Sequence, residues 1–151
     1  EGEEGDEDAV NRYLSLEKES DNALMLLIEY FRGVKEPTLI VMFGDHYPSL
    51  PDSVTANLSG ADFEDLTTEE QQRYYAPPFF IWANYDIPEK ENQIISANYI
   101  SSYLLTLTGL DNASYNDFLL DQRELIPAMN SYGYLGTDGI KPLTVPANGA
   151  A

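Results

Sequence analysis

Thr38-Leu39-Ile40-Val41-Met42-Phe43-Gly44-Asp45-His46-Tyr47-Pro48 is the stretch that decides the fold. Its apolar run is bounded by Pro37 and Gly44 and carries β-branched residues at Thr38, Ile40 and Val41. It does not alternate with polar residues, so both faces are expected to be buried, as in a central parallel strand. Asp45 and His46 follow at its carboxyl end, and His46 is the only histidine of the sequence. In open α/β sheets that is where ligands bind.

Upstream, Val10, Tyr13 and Leu14 begin a helical pattern. Ser20 and Asp21 then offer a fresh N-cap. After them Leu24, Leu27, Ile28 and Phe31 form the apolar stripe of an amphipathic helix. Arg32 suits its last turn, and Gly33 and Pro37 stop it. Downstream, residues 47–66 read as loop, with Ser53 to Leu58 able to form one helical turn. Thr67 or Thr68 is placed to cap a short helix from Glu69 to Tyr74, which Pro77 and Pro78 end. Phe79 to Ala83 is a second buried strand. Ser96 is the expected N-cap of a helix with Tyr99, Ile100, Tyr103, Leu104 and Leu107 on its stripe, and Gly109 sits where a C′ glycine belongs. Ser114 opens a last helix that ends near Pro127. From Asn130 onward turns and one or two short strands are expected. Strands alternating with helices argue for α/β layers, and two strands make an incomplete sheet. The first eight residues read as a solvated acidic tail, and the stretch from Asn130 as a second tail.

The 151 residues suit one domain of ordinary size. The longest apolar run, Ala23 to Ile28, is far short of the ~20 residues a membrane helix needs, so no membrane segment is expected. The opening EGEEGDED is acidic, unlike the basic start of a secretory signal. With no cysteine there are no disulfides, thiolate metal sites or cysteine nucleophiles. A net charge of −18 repels phosphate backbones and anionic membrane surfaces, which argues against nucleic-acid binding. Its first meaning is solubility.

Asp45 and His46 are the candidate metal ligands. Carboxylate oxygen with imidazole nitrogen suits Zn²⁺ or Mn²⁺, though a catalytic metal site needs at least three protein ligands. The plain alternative is a capping Asp45 beside a hydrogen-bonded loop histidine. Adjacency is the wrong geometry for a Ser/His/Asp triad, and no G-x-S-x-G elbow exists. Gly133, Gly136 and Gly139 lack the strand and helix of a phosphate loop. Asp62, Glu64, Asp65, Glu69 and Glu70 lack EF-hand spacing and read as a solvated face. Trp82 and the tyrosines at 74, 75, 99 and 103 could line a sugar groove, but their spacing fits core better. Asn57-Leu58-Ser59 and Asn112-Ala113-Ser114 match the glycosylation triplet, which is common by chance.

The segment from Thr38 to Pro48 resembles the "T-[IVL]-[IV]-x-[FY]-G-D-H" segment of the sulfatase-like lipoteichoic acid synthase family, phosphoglycerol transferases of the alkaline phosphatase superfamily. Tyr13 to Asp21 with Leu24 to Phe31 resembles the helix before that strand. Pro78-Phe79-Phe80-Ile81-Trp82-Ala83-Asn84 resembles the family's "PF-[IF]-I-W-[AS]-N" strand, and Ser96 to Ile100 with Leu104 to Gly109 the helix after it.

The resemblance implies a three-layer α/β/α, alkaline phosphatase-like (sulfatase-like) domain, of which residues 10–134 are the C-terminal part with an incomplete sheet, between an acidic tail (1–9) and a second tail (135–151). It implies a threonine nucleophile that attacks the phosphodiester of phosphatidylglycerol and passes glycerophosphate to an acceptor hydroxyl. It also implies one divalent metal, Mn²⁺ first and Mg²⁺, Zn²⁺ or Ca²⁺ as alternatives, with Asp45 and His46 as two of its ligands. The family's nucleophile, its metal-binding glutamate and a substrate histidine lie well upstream of the G-D-H segment. Thr38 is the only threonine before Asp45, and it starts the strand. The chain alone is therefore expected to be inactive, with no catalytic residue of its own. Its partners are the remainder of a parent catalytic domain and a lipid phosphodiester. The parent is expected on the outer side of a bacterial membrane, anchored by helices outside this sequence. A sulfatase, a phosphoethanolamine transferase, a phosphodiesterase and a non-catalytic binding module are the alternatives.

Overall fold

The computed structural model describes residues 4–110 and 113–143. They form a mixed α/β architecture of helices and small sheets, the class expected from the order of elements. Two compact units divide it, one from Glu1–Leu66 with Tyr74–Asp86, the other from Thr67–Arg73 with Ile87–Ala151.

In the first unit α1 spans Glu4–Arg32 without interruption. The sequence suggested a tail to residue 9 and a fresh cap at Ser20-Asp21. Both expectations give way to one helix, because no proline interrupts Glu4–Arg32 and Ser20 and Asp21 stay exposed within it. Tyr13, Leu24, Ile28 and Phe31 are half-buried, and Leu27 remains 44% exposed. Gly33 donates to Tyr30 O and Val34 to Phe31 O where the helix unwinds.

Strand β1 (Leu39–Phe43) pairs with β2 (Phe79–Ala83), with Leu39 opposite Ala83 and Phe43 opposite Phe79. The pair is antiparallel, which overturns the reading of a central parallel strand. A continuous apolar run reports how a strand is covered, not which way its neighbour runs. The burial expectation also fails at one end: Met42 is 39% and Phe43 53% exposed.

Between the strands the chain is more ordered than its composition suggested. Helix α2 (Asp52–Ser59) ends on Gly60, whose φ of 81° is the left-handed conformation that glycine adopts freely. A 3-10 turn covers Phe63–Asp65, and α3 spans Thr68–Tyr74. Thr67 caps α3 through a reciprocal box. Its hydroxyl accepts from the Glu70 amide at 3.3 Å, and its own amide donates to the Glu70 carboxylate at 2.8 Å.

In the second unit α4 (Ala97–Thr108) packs on α5 (Ser114–Leu125). Among the described residues Tyr99, Tyr103 and Leu119 are its buried apolar side chains, which makes Tyr99 and Tyr103 core rather than groove. Gly109 closes α4 at φ 68°, as expected. Ser96 stands at the N-cap position but does not cap. Its hydroxyl accepts from the Met129 amide at 2.6 Å and so joins the start of α4 to β3 (Ala128–Met129). Strands β3, β4 (Gly133–Gly136) and β5 (Gly139–Pro142) form an antiparallel meander. The possible modification site at Asn112, the start of the acidic tail (1–3) and the end of the second tail (144–151) lie outside the described residues.

Candidate metal centre and adjoining pocket

The Gly44 amide donates to Pro78 O at 3.1 Å and carries the β1–β2 ladder one residue further. A Cβ at Gly44 would come within 2.7 Å of Pro77 Cβ. Only a residue without a side chain lets the two strands meet here, and the chain turns away immediately afterwards.

That turn places both candidate ligands at the carboxyl end of β1. The His46 side chain is 77% exposed and that of Asp45 83%. His46 Nδ1 lies 2.8 Å from its neighbour's carbonyl, Tyr47 O. A carbonyl only accepts, so Nδ1 carries the proton and donates. In the neutral ring the lone pair is then on Nε2, which lies 3.5 Å from Asp45 Oδ2. Two acceptors thus converge on one spot, which suits a shared cation or a second ring proton. Metal-binding imidazoles commonly tie off their other nitrogen in this way. Among the described residues no group of three or more histidine and carboxylate side chains is arranged to hold a metal. Asp45 and His46 are thus two donor side chains side by side, fewer than the three protein ligands a catalytic metal site needs.

An aromatic cluster holds the loop beyond His46. Tyr47 stacks on Tyr74 at 5.3 Å between ring centroids and 13° between planes. Tyr74 meets Phe63 and Tyr75 edge-on, and Phe63 meets Tyr75 in the same way. The sequence offered Tyr74 and Tyr75 as core or groove residues. The structure makes them the packing support of the segment that carries His46.

Beside His46 lies a pocket of about 320 Å³. Tyr13 and Glu17 of α1, His46 and Tyr47 of the loop, and Pro77, Pro78 and Phe79 at the start of β2 are among its lining residues. Asp45 does not line it. Burial raises the Tyr13 phenol above its ordinary 10.0, and the neighbouring Glu17 carboxylate adds to this. Sequence reasoning missed this pair. The i, i+4 spacing of Tyr13 and Glu17 could have shown that they share a helix face, but not that the face adjoins His46.

Asn84 was also missed as a working residue. Its amide nitrogen donates to Phe31 O, Val34 O and Glu36 O, and its oxygen accepts from the Thr38 amide. This side chain closes the end of α1 and fixes the entry into β1.

No helix among the described residues is long and apolar enough to cross a membrane. The chain is similar to a Rhizobium meliloti (strain 1021) protein described as a "Putative cyclic beta-1,2-glucan modification protein", at 29% identity over 119 residues. The match covers 77% of this chain and 19% of that protein, so the chain spans about a fifth of its curated relative's length. No solved structure matches the chain significantly. The model of the Sulfatase family matches residues 1–110, which include α1, both strands of the first unit, Asp45 and His46. The chain therefore belongs to the sulfatase family, a branch of the alkaline phosphatase superfamily.

Proposed function

We propose that this chain supplies half of the metal site, and one wall beside it, in a phosphoglycerol transferase of the sulfatase family. The enzyme moves glycerophosphate from a lipid phosphodiester, phosphatidylglycerol, to an acceptor hydroxyl at the cell surface. The observation that carries this reading is the convergence of Asp45 Oδ2 and His46 Nε2 at 3.5 Å, with Nδ1 tied to Tyr47 O. Asp45 and His46 hold the ion, Mn²⁺ first among divalent metals, and the rest of the catalytic domain completes the ligand set and brings the nucleophile. A divalent ion bound there offsets phosphate charge and lowers the pKa of a coordinated nucleophile. The chain's own task is to present two donors in a fixed orientation. The relative's description as a glucan modification protein favours a glucan as the surface acceptor, on the outer side of a bacterial membrane.

The test is Asp45→Asn with His46→Gln in the intact protein, read by Mn²⁺ affinity and by transfer of labelled glycerophosphate. Altering residues that merely support metal ligands costs about 10–100-fold, so removing two ligands should cost at least that in both readouts. Unchanged transfer would mean that the pair has no metal role. Release of sulfate from a sulfate ester, with no glycerophosphate transfer, would move the reaction to sulfate-ester hydrolysis. The 151-residue chain alone should bind Mn²⁺ only weakly and turn nothing over.

A further inference from the structure

We propose that the pocket bounded by Tyr13, Glu17, His46, Tyr47, Pro77 and Phe79 is the acceptor subsite and takes an uncharged saccharide. The inference rests on the transferase reading above and adds where the acceptor sits. Three observations carry it. First, the pocket adjoins His46, so a hydroxyl held in it lies next to the proposed metal site. Second, its walls are aromatic and proline surfaces that fit the apolar C–H faces of a sugar ring, and Glu17 offers a carboxylate to its hydroxyls. Third, its described lining contains no lysine or arginine. An anionic phosphate would meet the Glu17 charge there with nothing to offset it, whereas a neutral polyol would meet an acceptor it can donate to. Tyr13 and Glu17, one helical turn apart on α1, present the phenol and the carboxylate to the same pocket.

The test uses the intact protein with sophorose, the β-1,2-linked glucose disaccharide, and with glycerol 1-phosphate as the charged comparison. Saturation-transfer NMR and calorimetry read binding in wild type, Tyr13→Phe, Glu17→Gln and Asp45→Asn. Sophorose should bind wild type, and Glu17→Gln should weaken it roughly tenfold, as for loss of one hydrogen bond to a charged group. Tyr13→Phe should weaken it less, because the carboxylate remains. Asp45→Asn should leave sophorose affinity unchanged while removing Mn²⁺ binding. Undiminished Mn²⁺ binding in Asp45→Asn, with sugar binding intact, would count against the metal site alone. Absence of sophorose binding, equal binding in Glu17→Gln, or stronger binding of glycerol 1-phosphate in the same pocket would overturn the subsite assignment.

Discussion

The Asn84 carboxamide oxygen accepts from the Thr38 amide at 2.8 Å, across 46 positions of chain. Its nitrogen meanwhile donates to Val34 O and Glu36 O at 2.9 Å each. One side chain at the end of β2 therefore satisfies the backbone between the last turn of α1 and the residue just before the strand that leads to Asp45. Orphan carbonyls at a helix end need such partners when they leave water.

Asn84→Ala should lower stability by about 1–3 kcal/mol, because it strands several backbone groups at once. Urea unfolding followed by circular dichroism would show a lower midpoint with an unchanged slope. A midpoint equal to wild type would mean that water replaces the amide without loss.

Gly44→Ala tests the close approach of the strands. The added Cβ meets Pro77 Cβ at 2.7 Å, and a proline ring has little freedom to give way. Overpacking of this kind costs about 1–3 kcal/mol. Mn²⁺ affinity of the intact protein should fall as well, since the two proposed ligands follow directly in sequence. A variant with wild-type stability and affinity would show that the ladder shifts freely here.

Ser96→Ala removes the acceptor of the Met129 amide from a residue that is only 9% exposed. A buried donor left unpaired costs about 1–3 kcal/mol. Hydrogen exchange at the Met129 amide should quicken more than exchange within α4. Uniform quickening would instead indicate a global loss of stability.

Glu70 supplies a pH prediction. The Thr67 hydroxyl, then the Thr67 backbone amide, hold its pKa below the ordinary 4.5. A carboxyl whose folded pKa is depressed stabilises the fold above its unfolded pKa, and that contribution fades as pH falls through the folded value. Thr67→Ala removes the larger of the two hydrogen bonds. Carbon-13 NMR titration should then place the Glu70 midpoint higher than in wild type. An unmoved midpoint would mean that the capping box does not persist in solution.

Much of this was legible in the residues. Phe79–Ala83 is a strand with the bounds its five apolar residues suggest, and Gly109 ends α4 as a C′ glycine does. Local chemistry decides those features, so local sequence shows them. The direction of β1 against β2 was not legible, because an apolar run is the same read either way. Ser20-Asp21 misled for a related reason: residues that cap a helix can also stand exposed within one. The Asp45-His46 pair could be read as candidate ligands from residue type and position. The partnership of Tyr13, Glu17 and His46 depends on where α1 lies against the strands, and helical spacing alone does not fix that placement.

The Tyr47–Tyr74 stack also bears on how this protein could be tuned. The His46 ring is tethered to the main chain of Tyr47, and the Tyr47 ring lies flat on Tyr74. An imidazole moored in this way cannot swing without dragging its neighbour's backbone. The aim of its outer nitrogen is thus inherited from a ring 28 positions further along the chain. On the metal reading proposed above, a change at Tyr74 would retune affinity for the ion while leaving both donors as they are.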